Sequence, residues 1–96
     1  MIRIRWTPDA FNDLKTISSY IEGQRNLATA NRVCRIIYEA IQSLRRFPHT
    51  GKTGMEEGTR EFVVPALPSY IVVYRVMPSE TIQVLRIWHG AQRRQE

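Results

Sequence analysis

The sequence predicts an α+β domain in which a helical hairpin packs on one face of a small, mostly antiparallel sheet. Three observations support this class. Apolar and basic residues alternate at the N-terminus, apolar residues then recur at spacings of three and four, and three segments rich in β-branched residues follow. These periods are typical of a strand, of amphipathic helices and of further strands. The resulting order is strand, helix, helix, strand, strand, strand.

The first strand and the first helix meet at a clear boundary. Residues 2–6 alternate apolar and basic side chains, as a half-buried strand does. Thr7 is a good N-cap, Pro8 is favoured at the first helical position, and Asp9 places a negative charge in the first turn. We expect the helix to begin near Pro8 and to end at Gly23 and the polar residues 24–26. Its apolar stripe consists of Phe11, Leu14, Ile17 and Ile21.

A second helix follows after a short connection and ends at Phe47 and Pro48. Such a short connection makes the two helices an antiparallel hairpin. The apolar face of the second helix consists of Leu27, Ala30, Val33, Cys34, Ile37, Ile41 and Leu44.

The C-terminal half predicts a loop over residues 48–58 and strands over residues 59–64, 70–77 and 81–88. The strand over 70–77 is apolar on both faces, so it needs cover on both sides of the sheet. Two helices of this length cover about one face of a small sheet. We therefore expect the other face to be an apolar surface that contacts a partner protein.

Composition predicts one small basic domain spanning residues 1–96. The chain has 14 basic and 9 acidic residues, a net charge of +5, and twelve arginines against two lysines. This balance predicts an acidic partner, either nucleic acid or an acidic protein. Because the N-terminus lacks the features of a secretory signal and no apolar run reaches the length of a membrane span, we expect a cytoplasmic protein without membrane contact.

Neither a metal site nor a cofactor site is predicted. With one cysteine and two histidines, the sequence offers no disulfide framework and no zinc-ligand spacing. Residues 51–54 contain glycine, lysine and threonine but lack the spacing of a phosphate-binding loop.

One polar set could carry chemistry. The strand predictions place four residues in or just after the C-terminal strands, namely Arg60, Arg75, Arg86 and His89. Metal-independent cleavage of a phosphodiester needs cations to stabilise the charged transition state and a group that transfers a proton. Three arginines and a histidine could supply both, although arginines in a small sheet more often point to solvent or pair with an acidic residue.

Several stretches resemble the RelE/ParE superfamily of bacterial type II toxins, in order and over nearly the whole chain. They are residues 6–10 with Asp13 and Leu14, and residues 17–21, 58–64, 70–76 and 84–91. The resemblance implies a fold with a helical hairpin on an antiparallel-rich sheet. It also implies one of two activities: ParE-like members inhibit DNA gyrase, whereas RelE-like members cut mRNA on the ribosome.

The departures from the RelE-like pattern favour the ParE-like alternative. RelE-like chains place an arginine where this chain has Ile71, and no tyrosine follows Tyr74 to match their C-terminal catalytic tyrosine. In the loop before the first C-terminal strand, RelE-like chains carry a cluster of basic residues, whereas this chain has only Lys52. His89 points the other way, because some RelE-like nucleases use a histidine there as a general acid. If the chain is a nuclease, it is metal-independent and its candidate residues are the four named above.

The resemblance also implies a cognate antitoxin with an acidic, partly disordered segment that forms a hetero-oligomer with the toxin. The candidate contacts are Phe62, Val64, Tyr70, Val72 and Tyr74. The sequence does not say which alternating set of strand residues faces the helices, because a one-residue change in register exchanges the two sets. A toxin that only pairs with its antitoxin in autoregulation is a further alternative.

Overall fold

The computed structural model describes residues 1–90 and confirms the predicted α+β fold. Two helices pack on a five-stranded sheet. The elements are β1 (Arg3–Trp6), α1 (Pro8–Gln24), α2 (Leu27–Gln42), a 3₁₀ turn (Ser43–Arg45), β2 (Lys52–Thr53), β3 (Arg60–Val63), β4 (Tyr70–Met77) and β5 (Thr81–His89).

The strands lie in the order β1-β5-β4-β3-β2. β1 is parallel to β5, and all other neighbours are antiparallel. The prediction of a continuous loop over residues 48–58 is wrong at β2, where Lys52 pairs with Glu61 and Thr53 pairs with Arg60. A two-residue strand is too short to show a period in the sequence, and it forms because β3 presents an edge to it.

The first helix begins at its predicted cap, Thr7, and the second begins at Asn26, a cap that the sequence analysis did not identify. The Thr7 hydroxyl accepts a hydrogen bond from the Ala10 backbone N–H at 3.1 Å, and the Asn26 side chain accepts one from the Thr29 N–H at 2.8 Å. These bonds satisfy donors that the first turn of a helix leaves without partners. The first helix ends at Gln24, within the predicted end region, whereas α2 gives way to the 3₁₀ turn before the predicted stop at Phe47.

The apolar stripe of α1 differs from the prediction at its first residue, whereas Leu14 and Ile17 pack against the core as predicted. Ala10 is fully buried, whereas Phe11 is 55% exposed and its ring lies 5.7 Å from the Lys15 ammonium. The stripe therefore runs from Ala10 through Leu14 and Ile17. Leu27, the first residue of α2, is likewise exposed.

The core lies between the hairpin and one face of the sheet. α1 packs against β5, β1 and α2. The buried core side chains are Ala10, Ile37, Ile41, Leu44, Phe62, Val64, Val72, Tyr74, Ile82, Val84 and Ile87. Within residues 1–90, no helix is long and apolar enough to cross a membrane.

Candidate functional site

Beyond the end of β1, the edge of β5 is completed by side chains and backbone of the following segment. The Thr7 backbone N–H donates to the Val84 carbonyl, and the Thr7 hydroxyl donates to the Leu85 carbonyl, both at 3.1 Å. Farther along, Asp13 Oδ2 accepts from the Ile87 backbone N–H at 2.9 Å. The start of α1 thus takes the place that a longer β1 would occupy.

Asp13 also forms an ion pair with Arg86. Arg86 Nε donates to Asp13 Oδ2 at 2.8 Å, and Arg86 Nη2 donates to Asp13 Oδ1 at 3.0 Å. This is the two-pronged geometry in which a guanidinium fits a carboxylate best. The hydrogen bond that Arg86 donates to Asp13 raises the pKa of Arg86 above its usual value. The positive charge of Arg86 is therefore compensated within the chain.

The sheet has one face away from the helices, which we call the open face. Cross-strand partners point to the same side of a sheet, so the register assigns its members. They are Arg3, Arg5, Lys52, Glu61, Val63, Ile71, Val73, Arg75, Met77, Thr81, Gln83, Leu85, Arg86 and Trp88. A β-bulge at Val73/Tyr74 places both Leu85 and Arg86 opposite Val73. Val63 is 44% exposed and Ile71, Val73 and Leu85 are half-buried, so this face carries accessible apolar area.

A cavity of about 300 Å³ opens on this face. It is lined by Met55, Glu56, Thr59, Glu61, Val73, Leu85, Arg86 and Trp88. Glu61 is only 5% exposed and Thr59 only 4% exposed, whereas Glu56 is exposed. The Arg86 guanidinium lies 5.4 Å from the Trp88 ring. The cavity thus combines apolar walls with a buried carboxylate.

The four candidate nuclease residues do not come together. Arg60 pairs in register with the buried Tyr74, and His89 pairs with Tyr70, which places both on the helix side of the sheet. Arg75 and Arg86 lie on the open face. Their partners Tyr74 and Tyr70 are four residues apart on β4, a distance of about 13 Å along the strand. Arg60 and His89 therefore lie far apart on the helix side of the sheet.

Arg60 has a structural role. Its Nη1 donates to the Gly51 carbonyl at 2.7 Å and to the His49 carbonyl at 3.3 Å. The nearby Tyr74 hydroxyl donates to the Pro48 carbonyl at 2.8 Å and accepts from the Gly51 N–H at 2.9 Å. Burial raises the pKa of Tyr74, although the Gly51 hydrogen bond and the Arg60 charge lower it in part. Together these two side chains hold the segment after the 3₁₀ turn against the sheet.

His89 lies in a different groove. Its ring meets the Tyr70 ring edge to face, with centroids 5.4 Å apart. With Thr16, Ile17 and Tyr20, these residues line a groove of about 320 Å³ beside α1. Burial is the main cause that raises the pKa of the Tyr70 phenol. Among residues 1–90, no group of three or more histidine, cysteine, aspartate or glutamate side chains is placed to hold a metal ion.

The predicted antitoxin contacts need a correction. Val64, Val72 and Tyr74 are fully buried and Phe62 is 8% exposed, all against the chain's own helices. Tyr70 is half-buried on that same side. Four of the five residues therefore belong to the core and offer no surface to a partner. The accessible set on these strands is the alternating one, on the open face.

A comparison with protein families agrees with the fold and with the resemblance seen in the sequence. Residues 4–94 match the family described as ParE toxin of type II toxin-antitoxin system, parDE. The chain belongs to this ParE toxin family. The resemblance to the RelE/ParE superfamily is thereby confirmed, and the chain is a toxin of the type II toxin–antitoxin class.

Two named relatives and a solved structure are similar to this chain. A protein named toxin Y4kP from Sinorhizobium fredii is 38% identical over 90 residues, covering 94% of this chain and 90% of that protein. Toxin RelE1 from Caulobacter vibrioides is 32% identical over 72 residues, covering 74% of this chain and 75% of that protein. The fold matches the chromosomal ParDE toxin–antitoxin system from P. aeruginosa with a TM-score of 0.84 at 23% identity, covering 93% of this chain and 96% of that chain.

Sequence reasoning missed the role of Asp13 in this ParE-family toxin. A signal was present, because Asp13 lies beside the Ala10–Leu14–Ile17 stripe of α1, where a carboxylate is costly unless it is paired. Its partner Arg86 is 73 positions away in the sequence. Periodicity within the helix does not identify such a partner.

Proposed function

We propose that this toxin binds and inhibits DNA gyrase and that a cognate antitoxin neutralises it. The observation that carries the proposal is the division of the candidate catalytic residues between the two sides of the sheet: Arg60 and His89 on one side, Arg75 and Arg86 on the other. Phosphodiester cleavage without a metal needs cations and a proton carrier around one phosphate. This arrangement supports inhibition by binding.

The ion pair of Arg86 supports the same proposal. Asp13 compensates the charge of Arg86. A nuclease would use such a charge to stabilise the phosphate in the transition state, so its compensation within the chain supports inhibition by binding.

We assign the antitoxin to the open face. Its exposed and half-buried apolar residues include Val63, Ile71, Val73 and Leu85, and they replace the buried set predicted from the sequence. The net charge of +5 suits an acidic segment that orders as it binds. A solved structure named as a toxin–antitoxin system has the same fold, which supports this partnership.

The test is DNA supercoiling by purified gyrase with increasing amounts of the toxin. We expect supercoiling to fall and cleaved DNA–gyrase complexes to accumulate, and an equimolar cognate antitoxin to restore supercoiling. In a parallel assay, the toxin is added to ribosomes that translate a defined mRNA, and we expect that mRNA to remain uncut. Unimpaired supercoiling at a tenfold molar excess of toxin would contradict the proposal.

A RelE-like mRNA endonuclease is the second candidate. The observation that favours it is the 32% identity with the protein named toxin RelE1. In that case mRNA would be cut on ribosomes before DNA synthesis slows, and gyrase would be unaffected. A chain that does neither but binds the antitoxin would be a partner in autoregulation only.

A further inference from the structure

The open face has different chemistry at its two ends. At one end, Val63, Ile71 and Trp88 lie side by side across strands β3, β4 and β5. Val63 is 44% exposed, and the other two side chains are half-buried. We call these three residues the apolar end of the open face.

The other end is formed by three arginines. Arg5 of β1 is in register with Gln83 of β5, and Gln83 is in register with Arg75 of β4. Arg3 lies on the same face, two residues before Arg5 and about 7 Å from it. Arg3 and Arg5 are exposed, and Arg75 is half-buried. We call the three arginines the arginine end.

The charges of the arginine end are available to a partner. Within residues 1–90, no ion pair involves any of the three, in contrast to Arg86, which pairs with Asp13. A cavity of about 350 Å³ opens beside Arg5, and Thr81 and Gln83, which carry hydrogen-bonding side chains, also line it. A carboxylate that binds here gains charge-assisted hydrogen bonds, because the guanidinium fork fits it well.

The two ends together favour a peptide over a nucleic acid. Ile71 and Arg75 are four residues apart on β4, a distance of about 13 Å along the strand. Surfaces that bind a nucleic-acid backbone are polar and strongly basic, and a chain of phosphates makes no favourable contact with the apolar end. A peptide that carries apolar side chains and, at that distance from them, carboxylates can contact both ends.

We propose that a segment of the antitoxin crosses the open face in one orientation, with apolar side chains on the apolar end and carboxylates on the arginine end. The inference rests on the proposed docking of the antitoxin on the open face, and it adds the position of the acidic residues and the orientation of the segment. Complementary charge steers association and fixes the register of two partners. A segment bound in the reverse orientation would place its carboxylates on the apolar end.

The first test uses the unaltered chain and a hexaglutamate peptide, and NMR follows the Nε–Hε signals of the arginines. We expect saturable shifts at the arginine end, in the millimolar range, and none at Arg32 and Arg35, which are exposed on α2. A hexaglutamine peptide should cause no shift. Equal shifts at Arg32 and Arg35 would overturn the proposal. So would tighter binding of a DNA or RNA oligonucleotide of equal charge at the arginine end.

The second test measures the rate of association with the cognate antitoxin. Arg3→Gln/Arg5→Gln should slow association at least tenfold at low ionic strength. Arg32→Gln/Arg35→Gln removes the same charge from α2 and should slow it less than threefold, whereas Arg3→Lys/Arg5→Lys keeps the charge and should retain most of the rate. The difference between the glutamine variants should vanish in 1 M salt, where the Debye length is about 3 Å. Equal slowing in both glutamine variants would overturn the proposal.

A double-mutant cycle tests the orientation. Each acidic residue of the antitoxin is replaced by its amide, and affinity is measured with the unaltered toxin, with Arg3→Gln/Arg5→Gln and with Val63→Ala. At least one replacement should cost fivefold or more with the unaltered toxin and with Val63→Ala, but less than twofold with the arginine variant. Equal losses with all three toxins at every acidic position would contradict the assigned orientation.

Val63→Glu separates failure of this inference from failure of the docking on which it rests. If Val63→Glu weakens antitoxin binding and Arg3→Gln/Arg5→Gln does not, the docking holds and the position given to the carboxylates is wrong. If neither variant weakens binding, the docking itself is wrong. No step uses gyrase, so these outcomes are independent of the proposed activity.

Discussion

Asp13 on α1 and Arg86 on β5 are joined by two hydrogen bonds of 2.8 and 3.0 Å, and the same carboxylate accepts the Ile87 backbone N–H. The Asp13 side chain thus attaches the helical hairpin to the sheet and accepts a backbone N–H at the edge of β5. It also compensates the positive charge of Arg86, which a nuclease would need for its substrate. The relationship connects the stability of the fold with the proposed mode of action.

Replacing Asp13 should destabilise the protein. Asp13→Ala leaves the Ile87 N–H and the Arg86 guanidinium without their acceptor, and loss of charged hydrogen bonds costs about 1.5–3 kcal/mol. The exposure of Arg86, 42% of its side chain, keeps the loss below that of a fully buried pair. Asp13→Asn, which can still accept from Ile87, should lose less. Urea unfolding measures both, and an Asp13→Ala midpoint equal to that of the unaltered chain would contradict the role given to this carboxylate.

Thr7 should contribute more to the free energy of unfolding than Asn26, the cap of α2. Its hydroxyl accepts from the Ala10 N–H and donates to the Leu85 carbonyl, whereas the Asn26 cap is exposed and serves only α2. We expect Thr7→Ala to lower the free energy of unfolding by about 1–2 kcal/mol. Asn26→Ala, the matched control, should cost about 0.5–1 kcal/mol. Thr7→Ser should retain most of the stability, and the opposite order of the two alanine variants in chemical denaturation would be inconsistent with this geometry.

Stability should fall at alkaline pH through Tyr74. Because burial raises its pKa above the ordinary value of 10.0, the folded state holds the phenol proton more tightly than the unfolded state does. The contribution is complete below about pH 10 and is lost as the pH rises through the folded-state pKa. Tyr70, whose pKa is also raised, adds to the loss in the same direction.

Tyr74→Phe isolates this contribution. It removes the acceptor of the buried Gly51 N–H, which should cost about 1–3 kcal/mol at neutral pH. Above about pH 10 the difference in melting temperature between Tyr74→Phe and the unaltered chain should narrow. Melting curves between pH 7 and pH 11 check this, and a difference that grows with pH would reverse the assigned sign.

His89→Ala should leave toxicity nearly unchanged. The ring contacts Tyr70 on the helix side and lies apart from Arg75 and Arg86. We expect growth inhibition on induction to stay within about threefold, a change of about 0.7 kcal/mol at most. The control is a measurement of antitoxin binding by the His89→Ala variant, because binding shows that the variant is folded. A folded, antitoxin-binding His89→Ala chain without toxicity would count for the nuclease alternative.

A charge on the open face should weaken antitoxin binding without unfolding the toxin. Val63 is 44% exposed and lies among the apolar residues assigned to the partner. Val63→Glu should reduce antitoxin affinity at least tenfold, about 1.4 kcal/mol, through repulsion of an acidic segment and loss of apolar contact. Leu27→Glu, at a 55% exposed position of α2, is the matched control. Calorimetric titration of both variants measures the effect, and equal affinities would move the antitoxin to another surface.

The main elements could be predicted from local patterns. The cap at Thr7, Pro8 at the first helical position and the turn residues before Thr81 placed β1, α1 and β5 within one or two residues of their observed bounds. Capping and periodicity act over a few neighbouring residues, so a single chain displays them directly. The strand Tyr70–Met77 was placed at its observed limits for the same reason.

The faces and the site depend on contacts between residues far apart in the chain. Which alternating set of β4 is buried follows from the register with β3 and β5, and a one-residue shift would have exposed Val72 and Tyr74. Contacts between distant residues also place Arg60 and Arg86 on different sides of the sheet. They bring Arg86 to Asp13 as well. Local sequence patterns thus specify which segments are strands and helices, whereas long-range packing sets which side chains meet, because those partners share no local period in the sequence.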